Sequence, residues 1–182
     1  MLMRLKGKIA LITGAAQGLG AAIAKRFSEE GASVVICDLN AEIGASTVAE
    51  IEGKGGVAAF VRLDVAKEQD WIDAMAAVVA KFGRLDVLVN NAGINIREPI
   101  EEMAAANFDM MLAINVKGPF LGIKHAIPLM RQSGGGSIIN MSSICGLVGH
   151  KYTTEAYTVT KGAVTLLTKT VGVRYAKDNI RC

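Results

Sequence analysis

The chain has 182 residues, of which 51% are hydrophobic and 20% are charged, and this balance excludes a disordered polypeptide. A net charge of +3 lacks the concentrated basic character of a protein that binds nucleic acid or an anionic membrane, so we expect neither partner. No apolar run is long enough to span a membrane, and the first residues, MLMRLKGKIA, do not have the pattern of a signal peptide. The three cysteines (Cys37, Cys145 and Cys182) are odd in number and far apart, which predicts a reducing, cytoplasmic setting without disulfides or a metal site.

Short aliphatic runs alternate with longer stretches of helical periodicity along the whole chain. The aliphatic runs are continuous enough to predict strands that are buried on both faces. These strands are expected at Lys8–Thr13, Val34–Cys37, Val57–Arg62, Val87–Asn90 and Ser137–Met141. The stretches between them predict helices at Gly18–Glu30, Ala41–Ile51, Lys67–Phe82, Asn107–Arg131 and Glu155–Lys177.

An alternation of strands and helices of this kind builds a parallel sheet with right-handed crossovers and helices on both faces. The predicted fold class is therefore α/β, a doubly wound parallel sheet. No linker, charge block or low-complexity segment interrupts the pattern, so residues 1–182 are expected to form a single domain.

The first predicted strand runs into a glycine-rich segment, TGAAQGLG, which opens the first helix. Gly14, Gly18 and Gly20 allow a sharp turn and a close approach of the backbone to a phosphate group, which the helix N-terminus attracts. The position after the first strand favours dinucleotide binding. The alternative is an ordinary strand-to-helix turn in which the glycines serve only a steric purpose.

Asp38 follows the second predicted strand, where a carboxylate can accept hydrogen bonds from both ribose hydroxyls of an adenosine. A 2′-phosphate at that place would meet a like charge, and Ala15, Ala16, Gln17 and Leu39 provide no cation to offset it. These residues favour NAD over NADP as the cofactor. The alternative is that Asp38 serves only as a turn or N-cap residue before the second helix.

Further polar motifs follow the fourth and fifth strands. They are NNAG at Asn90–Gly93, Asn115 within LAINVKG, the pair Ser142 and Ser143, and Tyr157 and Lys161 within YTVTK. Together with TGAAQGLG, this ordered set resembles the short-chain dehydrogenase/reductase family. The resemblance covers nearly the whole chain, and several spaced motifs in order are far more specific than any one of them. It implies a Rossmann-like fold and transfer of a hydride between NAD(H) and a secondary alcohol or ketone.

The resemblance also implies a role for each motif residue. Tyr157 would be the acid/base, Lys161 its electrostatic partner, Asn115 the holder of a water in a proton relay, and Ser143 the ligand of the substrate oxygen, with Ser142 as the alternative. The predicted cofactor-binding residues are Gly14, Gln17, Gly18, Leu19, Gly20, Asp38, Leu39, Asp64, Val65, Asn91, Ala92, Gly93, Tyr157 and Lys161. Within this set, Asp64 and Val65 end the third predicted strand, where they would meet the adenine edge.

Simple electrostatics supports the predicted pair. Tyr157 and Lys161 are four residues apart on a predicted helix, so their side chains share one face. A free phenol, with a pKa near 10, is a poor base at neutral pH. An ammonium roughly 4 Å away stabilises a phenolate by about 4 kcal/mol at an effective dielectric constant near 20. That is enough to lower the pKa of a phenol toward neutral pH, where it can act as a base. Taken alone, such a pair is more often an ordinary surface pair, and the convergence of strand ends in one crevice favours the catalytic interpretation.

The sequence ends at NIRC, within the predicted sixth strand, whereas members of the family continue into a substrate loop and a further strand. We therefore expect a fragment truncated at Cys182, with a natural short form as the alternative. The long helices at Asn107–Arg131 and Glu155–Lys177 are expected, by the same resemblance, to build a homotetramer or a dimer.

The apolar residues expected beside the site predict a neutral, hydrophobic secondary alcohol or ketone as substrate: Ile96, Ile144, Leu147 and Val148. Arg97 and Lys151 would instead suit an acid. Two other functions compete with alcohol oxidation, namely a non-catalytic NAD-binding regulator or scaffold and an epimerase or dehydratase of the same family. The epimerase class typically carries T-G-x-x-G-x-x-G, whereas this loop reads T-G-x-x-x-G-x-G.

Overall fold

The predicted alternation of strands and helices is present in the computed structural model, which describes residues 3–182. The described residues form six strands: β1 (Ile9–Thr13), β2 (Ser33–Asp38), β3 (Val57–Arg62), β4 (Val87–Asn90), β5 (Gly136–Asn140) and β6 (Ile180–Arg181). They form six α-helices: α1 (Gly18–Glu29), α2 (Ala41–Glu52), α3 (Glu68–Phe82), α4 (Ala105–Leu112), α5 (Gly118–Gln132) and α6 (Glu155–Arg174). Met1 and Leu2, which begin the segment assessed for a signal peptide and the expected domain, lie outside the described residues.

All six strands run parallel in one sheet, in the order β3–β2–β1–β4–β5–β6. β1 lies between β2 and β4, with Ile12 opposite both Ile36 and Val89. The chain builds outward from β1 to β3, then returns to β4 and builds toward the other edge. A crevice opens at such a reversal, at the carboxyl ends of β1 and β4. The prediction of a doubly wound parallel α/β sheet is confirmed.

Both faces of the sheet are covered by helices, because alternate side chains of each strand enter different hydrophobic layers. Leu11 of β1 packs in the layer that contains Trp71 of α3 and the buried residues of α5 and α6. Its neighbour Ile12 packs in the other layer, with Ala24 of α1 and Ile51 of α2. The buried strands therefore hold their carboxyl ends, and the loops that follow them, in fixed relative positions.

The predicted helical stretch over residues 107–131 is continuous in the structure, but it is not a regular α-helix throughout. α4 ends at Leu112, a π-helical segment runs from Ala113 to Lys117, and α5 begins at Gly118. A π turn contains an extra residue and so shifts the helix register, which brings Asn115 to face the protein interior. The reason is local bonding: the buried Asn115 amide makes hydrogen bonds to two other segments, and these outweigh regular α-helical pairing.

Other predicted boundaries differ from the structure by smaller amounts. The last long helix ends at Arg174 rather than residue 177, because a 3₁₀ turn at Ala176–Asp178 leads into β6. The fifth strand is shifted by one residue from the predicted 137–141. Asp38 is the last residue of β2 rather than the residue after it, since it still pairs with Arg62 of β3. The remaining predicted strand and helix ends agree to within two residues, which is the usual uncertainty of element ends.

Gly122 of α5 sits where α5 crosses α3, and its replacement tests this packing. A Cβ at Gly122 would lie 2.6 Å from Trp71 Cη2, and the Trp71 indole is fixed by its hydrogen bond to the Val65 carbonyl. We expect Gly122→Ala to lower the free energy of unfolding by about 1–3 kcal/mol, as overpacking does. Gly162→Ala is the matched control, because a Cβ at Gly162 of α6 meets no heavy atom within 4 Å. That control should raise stability by up to about 1 kcal/mol. Urea denaturation measures both, and equal stability of the two variants would contradict the packing.

Candidate active site

The glycine-rich loop between β1 and α1 packs against the segment that follows β4. Gly14 has a φ of +61°, and a Cβ there would lie 2.9 Å from the Cα of Ala92. A Cβ at Gly20 would overlap the carbonyl oxygen of Gly14. A Cβ at Gly18, in contrast, would meet no heavy atom within 4 Å, so this position of the loop faces open space.

Four hydrogen bonds join the glycine-rich loop to the NNAG segment. The Asn91 side-chain amide donates to the carbonyl oxygens of Thr13 (2.9 Å) and Gly14 (3.1 Å). The backbone N–H groups of Asn91 and Ala92 both donate to the Thr13 hydroxyl, each at 3.0 Å. The side chain of Asn91 therefore holds the loop, while Ala92 and Gly93 carry the backbone onward along the crevice.

Asp38 lies at the carboxyl end of β2 and reaches the glycine-rich loop. One carboxylate oxygen accepts a hydrogen bond from the Ala16 N–H (3.1 Å), and the other accepts from the Asn40 N–H (3.2 Å). Asp38 does not cap α2, because the side chain of Asn40 accepts the N-capping bond from the Ile43 N–H (3.0 Å). The interpretation of Asp38 as an N-cap residue is wrong, whereas its bond to the Asn40 N–H is a local turn contact of the kind that the alternative described. Its other carboxylate oxygen bonds to the glycine-rich loop.

The other residues predicted to meet the cofactor lie at neighbouring strand ends. Gln17 is the N-cap residue of α1, and its side chain makes no capping hydrogen bond. Leu19 and Leu39, which follow β1 and β2, are both exposed. Asp64 follows β3, and its carboxylate accepts a hydrogen bond from the Ala66 N–H (3.1 Å). Val65 is buried, with its Cβ 3.1 Å from the position of a Cβ at Gly118.

Lys161 of α6 is a buried cation at the end of β5. Its side-chain ammonium donates a hydrogen bond to the Met141 carbonyl (2.6 Å), and only 6% of the residue is exposed. Desolvation by this burial lowers the pKa of Lys161 below its ordinary value. No carboxylate of residues 3–182 lies within ion-pairing distance of it. The ammonium lies 5.5 Å from the ring centroid of Tyr157, one helical turn earlier, so the structure brings the predicted pair together.

Asn115 connects the segment after β4 to α6. Its amide oxygen accepts from the Ile94 N–H (2.8 Å), and its amide nitrogen donates to the Ile94 carbonyl (2.8 Å) and the Thr160 hydroxyl (3.2 Å). These are three of the four hydrogen bonds that an asparagine side chain can make. A Cβ at Gly93 would lie 3.3 Å from the Asn115 amide oxygen and 3.7 Å from the Lys161 ammonium. Gly93 therefore lies between these two groups, and both are close to its backbone.

The two adjacent serines after β5 have different surroundings. The Ser142 hydroxyl donates to the Lys161 carbonyl (3.1 Å) and lies 2.6 Å from the Thr165 hydroxyl, so it is engaged with α6. The Ser143 hydroxyl accepts a hydrogen bond from the Cys145 N–H (3.3 Å) and, within the described residues, makes no hydrogen bond to α6. A hydroxyl in that state can donate to a substrate oxygen, and this difference favours Ser143 over Ser142.

The sequence analysis assigned no role to two hydroxyl residues that hold this site together. They are Thr13, which bonds to the Asn91 segment, and Thr160, which bonds to Asn115. Thr13 could have been found, because it is a polar residue at the end of an otherwise apolar strand. The partners of Thr160 lie far away in the sequence, so no local pattern indicates its role.

The sequence also contains side chains and segments that could serve other functions, and these lie outside the crevice or lack the required arrangement. His125 of α5 lies 3.0 Å from a carboxylate oxygen of Glu68. Within residues 3–182, no group of three or more His, Cys, Asp and Glu side chains is placed to hold a metal ion. In the same part of the chain, no helix combines the length and the apolar character that crossing a bilayer requires.

Comparison with known proteins identifies relatives over nearly the whole chain. The family model for short chain dehydrogenases matches residues 8–182. A 2,5-dichloro-2,5-cyclohexadiene-1,4-diol dehydrogenase of Sphingobium indicum is 48% identical over 181 residues, which cover all of this chain and 72% of that relative. A cyclopentanol dehydrogenase of Comamonas is 43% identical over 98% of this chain and 71% of its own length.

A solved structure agrees with these sequence matches. A short-chain type dehydrogenase/reductase from Mycobacterium marinum superimposes with a TM-score of 0.95 at 33% identity, over 99% of this chain and 74% of that structure. The match therefore includes the sheet, its strand order and the crevice at the carboxyl ends of β1 and β4. These similarities show that the chain belongs to the short chain dehydrogenase family of NAD(P)-linked oxidoreductases.

Proposed function

We propose that the protein is an NAD-dependent dehydrogenase that interconverts a secondary alcohol and its ketone. The observation that carries this proposal is the buried ammonium of Lys161 beside Tyr157, at the crevice that also contains Ser143 and the glycine-rich loop. A surface pair of tyrosine and lysine would not bury its cation, because burial of an ammonium without a carboxylate costs stability. We infer that the Lys161 ammonium is buried at this cost because it stabilises the charged form of Tyr157 during catalysis.

The crevice residues fit a dinucleotide. The Lys161 ammonium has three N–H donors and a single acceptor among the described residues, so two donors are available for ribose hydroxyls. We assign the diphosphate to the loop residues Gly14, Gln17, Gly18, Leu19 and Gly20. We assign the adenosine to Asp38, Leu39, Asp64 and Val65. We assign the nicotinamide riboside to Asn91, Ala92, Gly93, Tyr157 and Lys161. A nicotinamide held there would supply the hydride acceptor for oxidation of the alcohol and the hydride donor for reduction of the ketone.

The residues of the chain then manage the substrate proton. Ser143 donates a hydrogen bond to the substrate oxygen and holds it beside Tyr157. During oxidation, the Tyr157 phenolate accepts the hydroxyl proton as the carbon–hydrogen bond breaks, and during reduction the phenol returns it. The Lys161 ammonium stabilises the phenolate, and its burial strengthens this attraction because little water screens it. Asn115 orders the backbone at Ile94 beside this group, which is where we place the water of the proton relay.

We further propose that the substrate is a neutral alicyclic alcohol. Ile144, Leu147 and Val148 follow Ser143 directly, and all three are exposed, so they can cover an apolar ring. The relatives named above are dehydrogenases of ring alcohols. Arg97 and Lys151 carry the competing possibility of a ring acid, since a relative from Sinomonas cyclohexanicum is a trans-4-hydroxycyclohexanecarboxylate dehydrogenase.

Tyr157→Phe tests the catalytic assignment. We expect this change to lower kcat for cyclopentanol oxidation by at least about 100-fold, as loss of general acid–base catalysis does, while NADH binding persists. Ser143→Ala should lower kcat strongly, and Ser142→Ala much less.

Tyr152→Phe is the matched control, because this exposed tyrosine lies in the same loop region and its substitution should leave kcat unchanged. Unaltered turnover in Tyr157→Phe would refute the assignment, and a preference for trans-4-hydroxycyclohexanecarboxylate over cyclopentanol would refute the neutral substrate.

The choice of NAD over NADP rests on the charge of Asp38. Arg62 lies opposite Asp38 in the register of β2 and β3, but its guanidinium lies 3.6 Å from Asp70 instead. Within residues 3–182 no cation forms a salt bridge with Asp38, so a 2′-phosphate beside it would meet an unneutralised carboxylate. The three free cysteines, Cys37, Cys145 and Cys182, support a reducing, cytoplasmic setting for this NAD-linked reaction.

Substitution of Asp38 separates the effect of its charge from the effect of its hydrogen bond. Asp38→Asn removes the charge but keeps an acceptor for the Ala16 N–H, whereas Asp38→Ala removes both. We expect both variants to lose preference for NAD⁺ over NADP⁺ by roughly tenfold or more, since about 1.4 kcal/mol corresponds to tenfold. The KM for NAD⁺ should rise further in Asp38→Ala. Glu52→Gln, an exposed acid at the far end of α2, is the control. A wild-type enzyme that prefers NADP⁺ would show the cofactor assignment to be wrong.

We propose that the protein assembles as a homodimer or homotetramer through the helices α4, α5 and α6. A cleft on this side is lined by five apolar residues, Leu112, Ala113, Val116, Phe120 and Leu167, together with Asp109 and Lys117. Val159, Leu166 and Val173 of α6 are exposed as well. Exposed apolar surface of this kind is typical of protein interfaces.

Light scattering should show that the protein is a dimer or tetramer at micromolar concentration, and Phe120→Asp should shift the oligomer toward the monomer. A monomeric wild-type protein would contradict this interface.

A further inference from the structure

Ala16, in the middle of the glycine-rich loop, is bound at both of its backbone polar groups by the adjacent β2–α2 unit. Its N–H donates to the carboxylate of Asp38 (3.1 Å), and its carbonyl accepts from the hydroxyl of Thr47 (2.7 Å). Ala16 is only 2% exposed and Thr47 only 4% exposed. The bond between the Thr47 hydroxyl and the Ala16 carbonyl is therefore shielded from water, which makes it costly to leave unmade, whereas the bond to Asp38 is only partly buried.

Thr47 lies on α2, outside every motif that the sequence analysis assigned to the cofactor. Its hydroxyl is the one donor that the described residues give to the Ala16 carbonyl. A valine has nearly the same shape as threonine but no hydroxyl, so it would fill the site and leave that carbonyl unpaired. The adjacent Ser46 is exposed and makes no such bond, so its hydroxyl serves as a comparison.

The loop is thus held from two sides. Asn91 holds Gly14 from the β4 side, and Thr47 and Asp38 hold Ala16 from the β2–α2 side. Gly18, which follows, faces open space. A loop that is already ordered binds an anion more tightly than a mobile one, because less conformational freedom is lost on binding.

We propose that Thr47 is a positioning residue for the cofactor diphosphate. Its hydroxyl holds the glycine-rich loop in the conformation that presents backbone N–H groups to the phosphates. The proposal rests on the NAD binding proposed above. It predicts an effect on cofactor affinity rather than on the chemical step, because Thr47 bonds the loop from α2, whereas Tyr157 and Lys161 belong to α6 at the end of β5.

The test measures NADH binding by fluorescence titration in the wild-type protein and in Thr47→Val, Thr47→Ser and Ser46→Ala. Loss of one buried hydrogen bond should weaken NADH binding by about three- to tenfold in Thr47→Val. Thr47→Ser should restore binding to within about twofold of wild type, since it keeps the donor. Ser46→Ala should bind as wild type does, and kcat at saturating NAD⁺ should be unchanged in every variant.

Competitive inhibition locates the effect within the cofactor. ADP-ribose carries the diphosphate and should bind Thr47→Val more weakly than wild type, whereas adenosine lacks phosphate and should bind both proteins equally. Equal affinity of Thr47→Val and wild type for NADH would overturn the proposal, and so would an equal loss for adenosine and ADP-ribose. Failure of the wild-type protein to bind NADH would instead overturn the proposed function.

A variant that does not fold is replaced by a closer one. Thermal unfolding of each variant is recorded first, and if Thr47→Val is unfolded at the assay temperature, Thr47→Cys takes its place. A thiol has a similar volume to the threonine side chain but is only a weak hydrogen-bond donor. The NADH affinity of Thr47→Cys should therefore be lower than that of wild type and of Thr47→Ser, but higher than expected for complete loss of the bond. Affinity equal to wild type in Thr47→Cys, together with unchanged ADP-ribose inhibition, would overturn the proposal in that case.

Discussion

The buried ammonium of Lys161 is the interaction on which the rest of the site depends. Among residues 3–182 it has one hydrogen-bond acceptor, the Met141 carbonyl at the end of β5, and it lies 5.5 Å from the ring centroid of Tyr157. Burial in a protein interior both lowers the pKa of a lysine and strengthens its attraction for a nearby anion. The surrounding contacts serve to keep this cation in place, because Ser142 bonds the Lys161 backbone and Asn115 bonds the adjacent Thr160.

The topology of the sheet explains how residues so far apart in sequence reach one another. β1 lies between β2 and β4, so the loops after these strands meet at one crevice. The glycine-rich loop is then fixed by hydrogen bonds rather than by side-chain packing, and its bonding partners come from the strands on either side. The fold and the site are therefore parts of one construction, in which buried strands position polar loop atoms.

The sequence predicted the strands well, because continuous apolar runs bounded by Gly, Asp and Asn have few other interpretations. It also predicted Tyr157 and Lys161 as neighbours, since four-residue spacing on a helix requires it. It did not predict the π segment around Asn115, because one extra residue hardly disturbs helical periodicity. Asp38 was predicted as a ribose ligand or a cap, but its bond to Ala16 depends on a contact between two strands. For the same reason Thr47 carries no local signal, as its acceptor lies 31 residues away.

The central claim is that Lys161 remains a desolvated cation bonded to a backbone carbonyl. An NMR titration of the protein labelled with ¹³C at the lysine Cε, with Lys161→Met used to assign the signal, measures this directly. We predict that the pKa of Lys161 lies below that of a solvent-exposed lysine side chain, because burial desolvates the ammonium. A Lys161 signal that titrates like an exposed lysine, or at higher pH, would show that the ammonium is hydrated or ion-paired and would contradict the account.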